Sequence, residues 1–514
     1  MRIPSISPAE FVANLQKSFQ EGSLELLVGA GASIASGLPS WNELNRRLLS
    51  TFLAQEYSDL EFQPRDLDVA ARIFVDNFGR EAVVDVVRDK LSQDRYLEML
   101  RQALYWNGTK DVSSIHLELA ALLAAAKATP KRLHGLYTFN FDDLLERAAE
   151  RLLEKIPEAV VGGERPPEPH VVHLHGYVPP TPGATPTGTV VLSEKDYHEA
   201  RGDWASRKLE DLFFNDDKRT VLMVGLSLAD PRLRWLLLER VKRAQQGKPV
   251  ARVYALLSNS PPSPDVELME RLARNFVRRH QDDFWLSWQM HVLTIESHDR
   301  VPFYLRQIRL GTNGGEWARQ GEEFLRANSR VFKDLYTPDI QRSAVSVLMA
   351  MQAFLKRRFA VSRDEELHIG GFVPGGGAMI RLGFRYRGGD GTGDIIDEAY
   401  AGTKQLSVAS LEQAQGASGR AFLLGATIET SRRSSQVYAN FTAPMVDVWT
   451  SEQTFSSLVC VPIYDSVKWV PIGVVYLTSN RQSPFWTDLE SQDYNVLETL
   501  LRNTFTEVLE YAPV

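Results

Sequence analysis

The chain has 514 residues, of which 44% are apolar and 24% are charged, and its formal net charge is −7. A single hydrophobic core stops growing near about 250–300 residues, so this length predicts about two to four domains. The acidic balance argues against sequence-independent binding of nucleic acid, which requires a basic face to neutralise phosphates.

Cysteine content and the apolar runs exclude two further classes. Cys460 is the only cysteine, so the chain can build neither a disulfide framework nor a zinc site with several cysteine ligands. The N-terminal segment MRIPSISPAEF lacks the apolar stretch of a signal peptide. The longest apolar run, Leu119–Ala126, is much shorter than the roughly 20 residues of a membrane helix. The sequence therefore predicts a cytoplasmic protein that does not bind membranes.

Six short apolar runs predict strands in the N-terminal part of the chain. They are Leu24–Val28, Leu133–Thr138, His170–Leu174, Thr220–Val224, Ala251–Leu257 and His291–Glu296. Helical patterns separate most of them: Trp41–Phe52, with Ser40 and Glu43 as a capping box, Ile115–Ala126 and Leu233–Val241. Apolar strands that alternate with helices favour a Rossmann-like, doubly wound parallel sheet of the α/β class. Residues 60–130 are expected to add a helical lobe between the first two strands.

The chain turns polar and glycine-rich between Leu310 and Gly321, where we place a domain boundary. The predicted division is a first domain over 1–315, a linker over 316–335 and a second domain over 336–514. The second domain is predicted to contain helix Ile340–Arg358, strands Glu366–Phe372, Met379–Arg387, Phe455–Ile463 and Trp469–Thr478, and helix Asp488–Glu510. Helices that flank an antiparallel-looking sheet indicate an α+β fold.

A glycine-marked turn follows the first predicted strand. The segment GAGAS contains Gly29, Ala30, Gly31 and Ser33 and offers backbone amides unobstructed by side chains, next to a helix N-terminus. Such a loop suits a dinucleotide pyrophosphate. A strict dinucleotide fingerprint has a third glycine where this chain has Ile34, so the loop could equally be a structural strand-to-helix turn.

Polar residues and a glycine also follow the next three strands. They are Asn140 and Asp142 after the second, His175 after the third, and Gly225, Ser227 and Asp230 after the fourth. The carboxyl ends of parallel strands border the ligand crevice of an open α/β sheet, so these residues are predicted to lie together. Asp142 and Asp230 could instead only cap helices, since Pro231 suits a first helical position.

The histidines His170, His173 and His175 raise the possibility of a metal. Strand periodicity puts His173 and His175 on one face. A zinc site needs at least a third protein ligand, and no cysteine is near. We therefore predict no metal, and His173 is alternatively a core histidine hydrogen-bonded to the backbone.

Four motifs occur in order in the N-terminal domain. They are GAGAS followed by SGLP, Thr138-Phe-Asn-Phe-Asp142, Leu174-His175-Gly176 and Gly225-Leu-Ser227. On these motifs the domain resembles the sirtuin family. The resemblance implies that NAD is the ligand, with the glycine loop on the pyrophosphate, Gly225 and Ser227 near the adenosine half, and Asn140 and His175 beside the nicotinamide ribose.

The chain departs from the sirtuins that deacylate proteins. Those carry a zinc ribbon on four cysteines, a Phe-Arg pair after the proline and a glutamine before the asparagine, whereas this chain has one cysteine, Trp41-Asn42 and Phe139. The pattern is similar to the bacterial sirtuin-like domains that hydrolyse NAD in defence against phage. The resemblance thus implies an NAD+ glycohydrolase, with NAD as substrate. The alternatives are a non-catalytic module that senses NAD, and a deacylase or ADP-ribosyl transferase.

The residues themselves suggest a division of work at the nicotinamide ribose. The amide of Asn140 has both a donor and an acceptor and could orient an attacking water or the ribose hydroxyls. An imidazole such as His175, with an ordinary pKa near about 6.5, could accept a proton at neutral pH. Both residues are therefore candidate catalytic groups.

Three segments of the second domain, residues 415–428, 455–479 and 483–500, resemble the GAF family of small α+β domains, which often bind a ligand or pair subunits. Gly416, Gly419 and Arg420 could be only a turn before a helix. Because an enzyme that empties the NAD pool harms its own cell, we expect the GAF-like domain to regulate the first. A small molecule, a viral protein or assembly into a homo-oligomer could be the trigger.

Overall fold

The chain folds into two units, Met1–Gly311 and Thr312–Val514, in this computed structural model. The structure describes residues 4–57, 66, 69–74, 80–106, 111–128, 135–153, 159–160, 170–200, 203–214, 216–226, 228, 230–258, 284–295, 297–311, 314–387, 395–431, 440, 455–465, 469–489 and 491–510.

The first unit is built on a parallel sheet of seven strands. They are β1 (Leu24–Val28), β2 (Gly135–Thr138), β3 (Ala159–Val160), β4 (Val171–His173), β5 (Thr220–Val224), β6 (Arg252–Ser258) and β7 (Met290–Ile295). The six predicted strands are all present, with small differences at their ends. The edge strand β3 was not predicted, because two residues are too short for a periodic pattern.

The strand order is β3-β4-β2-β1-β5-β6-β7, and each neighbouring pair is parallel. Without the edge strand β3, this is the order of a Rossmann fold, in which the chain starts in the middle and winds outward in both directions. The direction of winding changes between β1 and β5. Ligands of open α/β sheets bind at this switch point, beyond the carboxyl ends of the strands.

The helices of the first unit are α1 (Pro8–Glu21), α2 (Gly31–Ile34), α3 (Trp41–Glu56), α4 (Arg80–Lys90), α5 (Gln93–Leu104), α6 (Ser114–Ala128), α7 (Leu144–Leu152), α8 (Glu194–Glu199), α9 (Trp204–Phe213), α10 (Pro231–Gln245) and α11 (Val301–Leu310). Helices α9 and α10 share a buried core with Val253 and Ala255 of β6. Tyr254 lies between these two and packs its ring against Phe11 of α1. Successive strand residues face opposite sides, so the sheet is covered on both faces. The doubly wound α/β prediction is confirmed.

The helical lobe between β1 and β2 is also present in the part of it that the structure describes. Apolar side chains of α3, α4 and α5, including Leu48, Val87 and Leu100, form a separate buried cluster. The capping box predicted at the start of α3 is only half formed. Ser40 accepts a hydrogen bond from the Glu43 amide, but the Glu43 carboxylate binds Arg46 and Arg47 instead of returning to Ser40.

The second unit is built on six antiparallel strands. They are β8 (Leu367–Pro374), β9 (Met379–Tyr386), β10 (Gln405–Ser407), β11 (Ile428–Ser431), β12 (Ser457–Tyr464) and β13 (Pro471–Ser479), in the order β10-β9-β8-β13-β12-β11. Its helices are α12 (Gly314–Asn328), α13 (Pro338–Arg358), α14 (Glu398–Thr403), α15 (Gly416–Leu424) and α16 (Ser491–Glu510). Leu348 of α13 and Phe505 of α16 belong to one core with β8, β9, β12 and β13. The α+β prediction is confirmed.

Two segments of the second unit differ from the expectation. Residues assigned to a linker over 316–335 mostly lie in α12, where Trp317 is fully buried, and in a short 3-10 helix, Phe332–Asp334. Gly416, which could have formed a turn before a helix, is the first residue of α15 and has a φ of +64°, and Gly419 follows it in the same helix. In the parts of both units that the structure describes, no helix combines the length and the apolar character needed to cross a membrane.

Candidate functional site

A cavity of about 360 Å³ opens in the first unit at the carboxyl edge of the sheet. Nine of the ten site residues predicted from the sequence line it: Gly29, Ala30, Gly31, Ser33, Asn140, Asp142, His175, Gly225 and Asp230. The tenth, Ser227, lies outside the described residues. The cavity is within the usual size range of small-molecule sites.

The glycine loop and the end of β5 are joined by backbone hydrogen bonds. The Gly29 amide donates to the Val224 carbonyl at 2.9 Å, and the Gly31 amide donates to the Gly225 carbonyl at 2.8 Å. The Ser33 amide is also used, on the Ala30 carbonyl. The expectation that the loop mainly offers free amides therefore needs correction. The glycines instead let two strand ends approach closely and leave room above them for a ligand.

The main chain at Asn140 is held on both sides. Its amide donates to Thr138 Oγ1 at 2.9 Å, and its carbonyl oxygen lies 2.8 Å from His173 Nδ1. The other ring nitrogen of His173 lies 2.6 Å from Glu146 Oε1. His173 is therefore a buried core histidine that binds the backbone, as one of its two interpretations predicted. It orders the loop that carries Asn140.

The side chain of Asn140 binds a buried serine. Asn140 Nδ2 donates to Ser33 Oγ at 3.0 Å, and Ser33 Oγ donates to Asp142 Oδ2 at 3.0 Å. His116 of α6 was not predicted as a site residue, and its Nε2 lies 3.2 Å from Ser33 Oγ. Asn140 Oδ1 is buried and has no hydrogen-bond partner among the described residues. This oxygen is a free acceptor beside the cavity.

Asp142 is buried and accepts two hydrogen bonds. Besides Ser33, it accepts a hydrogen bond from the Leu144 amide at the start of α7. Burial raises the pKa of Asp142 to about 6, although these two hydrogen bonds oppose the shift. One carboxylate oxygen thus binds the first amide of α7, although the N-cap residue of this helix is Asp143. Carboxyl groups with strongly shifted pKa values occur preferentially at functional sites.

His175 is fully buried against three aromatic rings. Its ring centroid lies 4.4 Å from that of Phe139, 5.6 Å from that of Tyr197 and 6.2 Å from that of Trp41. Neither ring nitrogen has a hydrogen-bond partner among the described residues. Burial lowers the pKa of His175 to about 4, so the ring is neutral at physiological pH. It is a weaker base than an exposed histidine, and it keeps one donor and one acceptor for a ligand.

Asp230 both caps a helix and lines the cavity. Its Oδ1 accepts a hydrogen bond from the Leu233 amide at 2.8 Å, with Pro231 in the first turn of α10, as predicted. Its other oxygen accepts a hydrogen bond from the hydroxyl of Tyr197. Tyr197 thereby joins the end of β5 to the wall beside His175.

Within the described part of the chain, no three His, Cys, Asp or Glu side chains are grouped so that they could hold a metal ion. His173 uses both of its nitrogens on Asn140 and Glu146.

The pKa of His175 has a consequence for stability. We expect the His175→Gln variant to lose less stability than the wild type when the pH falls from about 7 to about 4.5. In the unfolded chain the His175 ring binds a proton below about pH 6.5, whereas in the folded protein it does so only near pH 4. The contribution of His175 to the free energy of unfolding is therefore complete above about pH 6.5 and is lost as the pH falls toward 4. The difference should reach about 2 kcal/mol.

Calorimetric unfolding of both proteins at the two pH values measures this difference. His116, whose pKa burial lowers to about 3, acts in the same direction and Asp142 in the opposite one, and both are common to the two proteins. Equal losses of stability in variant and wild type would contradict the assignment of a buried, neutral His175.

Comparisons with known proteins find similarity to parts of this chain. The family model described as a SIR2-like domain matches residues 134–280. No curated protein matches the chain. Among solved structures, a complex of a Sir2 homologue with NAD is 16% identical, covers 60% of this chain and 97% of its own, and has a TM-score of 0.29.

A mutant Sir2 homologue with ADP-ribose is 17% identical and covers 58% of this chain and 96% of its own, with a TM-score of 0.27. The GAF domain region of a membrane protein from Geobacter sulfurreducens PCA is 19% identical and covers 34% of this chain and 95% of its own, with a TM-score of 0.22. Residues 134–280 thus match a SIR2-like domain, and the chain is similar to GAF structures in part of its length.

Proposed function

We propose that the first unit is an NAD+ glycohydrolase, which cleaves NAD to nicotinamide and ADP-ribose. One observation carries the proposal: Asn140 and His175, two buried polar side chains with unused hydrogen-bonding atoms, meet in one cavity beside a loop of glycines. The SIR2-like match and the sirtuin-type motifs support NAD as the ligand.

In this proposal the glycines of the loop and Gly225 admit the pyrophosphate close to the backbone. Cleavage of the bond between nicotinamide and ribose builds up positive charge on the ribose, so a correctly placed water and polar oxygens nearby lower the barrier. Asn140 Oδ1 accepts a hydrogen bond from that water or from a ribose hydroxyl. Nicotinamide leaves as a neutral base and needs no general acid.

The reaction consumes one water and releases one proton. The neutral ring of His175 has a lone pair that can take this proton as the new carbon–oxygen bond forms, and solvent then removes it. Its low pKa means that the proton is held only briefly. In this proposal NAD is the substrate, and the protein supplies position and polar groups.

The direct test is to incubate the purified full-length protein with NAD and to measure nicotinamide and ADP-ribose. We expect the two products in equal amounts, with no acceptor added. Binding of NAD without cleavage would instead favour a sensing module, an alternative that the weak basicity of His175 supports. Cleavage that depends on an acylated peptide or another acceptor would point to a deacylase or an ADP-ribosyl transferase.

We propose further that the GAF-like second unit controls this activity, and that the chain is a homo-oligomeric antiphage effector triggered by a small molecule or a viral protein. The motif pattern shared with NAD-hydrolysing defence proteins supports this. A chain that ends at Gly311 and shows the same basal and stimulated rates as the full chain would rule out control by the second unit. Unchanged cellular NAD during infection would rule out the defence role.

A further inference from the structure

His116 is a buried polar residue for which the proposed reaction has no role so far. It lies on α6, 83 positions after Ser33 in the sequence, and is fully buried. Burial lowers the pKa of His116 to about 3, so its ring is neutral and has one N–H donor and one acceptor nitrogen. Both nitrogens have a partner, which makes the position of the proton decidable.

The backbone decides which nitrogen of His116 carries the proton. The Ser113 amide donates to His116 Nδ1 at 3.2 Å, and Ser113 Oγ lies 2.9 Å from the same nitrogen. The hydroxyl can donate or accept, whereas an amide N–H can only donate. Nδ1 is therefore the acceptor, and the proton is on Nε2. It follows that His116 Nε2–H donates to Ser33 Oγ, at 3.2 Å.

This direction fixes the remaining hydrogen bonds around Ser33. Ser33 Oγ accepts from His116 and has one proton of its own, which it donates to the Asp142 carboxylate. No proton of Ser33 is left for Asn140, so Asn140 must present its amide nitrogen to Ser33. The Asn140 side chain therefore has one orientation, in which Oδ1 is the atom left for the ligand.

We propose that His116 is a positioning residue for NAD cleavage: it holds the Ser33 hydroxyl, which in turn orients the Asn140 amide with its oxygen toward the substrate. This inference rests on the proposed function and adds a residue that does not line the cavity. An error of about 1 Å in such an anchor can cost on the order of a hundredfold in rate.

Two substitutions separate the roles of the two ring nitrogens. His116→Asn keeps an acceptor near the place of Nδ1 but loses the donor to Ser33, whereas His116→Gln places an amide N–H near the place of Nε2. We expect His116→Asn to lower kcat about tenfold or more, with KM within about threefold of wild type. His116→Gln should recover most of kcat. His198→Asn, which changes an exposed histidine in the same unit, is the matched control.

Titration with ADP-ribose gives the fraction of folded, binding-competent protein, so that kcat can be expressed per active site. A role in stability alone would lower that fraction equally in both His116 variants and leave the corrected kcat unchanged, which would overturn the proposal. If His116→Asn does not fold, Ser33→Ala replaces it, since it removes the hydroxyl that His116 holds. A corrected kcat of Ser33→Ala near that of wild type would also overturn the proposal.

The wild-type measurement distinguishes a failure of the proposed NAD cleavage from a failure of the proposed role of His116. If neither the full-length protein nor the chain that ends at Gly311 releases nicotinamide, the proposed function is contradicted, and the role of His116 fails with it. An active wild type with equally active His116→Asn contradicts the role of His116 alone.

Discussion

Replacing Asn140 with alanine is expected to reduce NAD cleavage by at least about a hundredfold while leaving the affinity for ADP-ribose within about threefold. Asn140 is 5% exposed, its Nδ2 is bound to Ser33, and its Oδ1 is free for the substrate. The alanine variant loses this acceptor where charge develops in the transition state. The glycine wall of the cavity, formed by Gly29, Gly31 and Gly225, would admit the pyrophosphate and remains intact. Nicotinamide release measures the rate, and calorimetry measures the affinity.

Asn45→Ala is a suitable control for this prediction. Asn45 is a fully buried asparagine of the same unit, and it does not line the cavity. Neither polar atom of its side chain has a hydrogen-bond partner among the residues that the structure describes, so its loss should cost little. Its NAD turnover should stay close to that of wild type. Turnover of Asn140→Ala within about tenfold of wild type would exclude Asn140 as a catalytic residue.

Asn140→Asp distinguishes the two ends of the amide. Aspartate retains an acceptor at the place of Oδ1 but replaces the amide donor with an oxygen, which would face the Ser33 oxygen without a proton between them. It also adds a second buried carboxylate near Asp142, and like charges at close range are costly. We expect this variant to be nearly as inactive as Asn140→Ala. Full activity of Asn140→Asp would show that the bond to Ser33 is dispensable.

The position of this cavity could be predicted from the sequence, because β1, β2, β4 and β5 are apolar runs that a polar residue or a glycine follows within two positions. Asn140 follows β2, His175 follows β4 and Gly225 follows β5, so parallel pairing alone brings the three to one edge. The direction of the side chains could not be predicted in this way. It depends on hydrogen bonds between residues that are far apart in the chain.

His116 shows why part of the site is hidden in the sequence. It lies at the start of α6, among residues that form an apolar helix, and nothing nearby in the sequence distinguishes a core histidine from a functional one. The same limitation applies to His175, for which an ordinary pKa was expected. Burial lowers its pKa to about 4, and the three aromatic neighbours around it come from separate segments that only the packed structure shows together.

In the second unit, local composition also failed to predict a helix. The polar, glycine-rich run between Leu310 and Gly321 favours a linker, predicted over 316–335, when it is considered locally. In the structure residues 314–328 form α12, with Trp317 buried, and an added Cβ at Gly321 would lie 2.3 Å from the Pro471 carbonyl oxygen. The glycine is therefore used for close packing of a helix on a strand, and not for chain flexibility. Composition alone does not separate these two uses.

Gly225→Ala is expected to have the largest effect of any substitution in the glycine wall. Gly225 has a φ of +67°, and a Cβ there would lie 2.4 Å from the Ala32 amide nitrogen and 3.0 Å from the Gly29 carbonyl oxygen. These are backbone atoms, so relief requires moving the glycine loop away from β5 and breaking the bond from Gly31. We expect a fall in melting temperature of about 5–10 °C and a loss of NAD affinity of at least about tenfold.

Gly247→Ala separates the clash from the backbone conformation. Gly247 has a φ of +73°, but a Cβ there has no atom within 4 Å, so its variant has only the cost of the left-handed conformation, about 1–2 kcal/mol. Its melting temperature should fall by about 2–4 °C, with NAD affinity unchanged. Thermal unfolding and NAD titration of both variants make the comparison. If Gly225→Ala were no worse than Gly247→Ala in both measurements, close approach of the loop to β5 would not shape the site, and the glycines would be only turn residues.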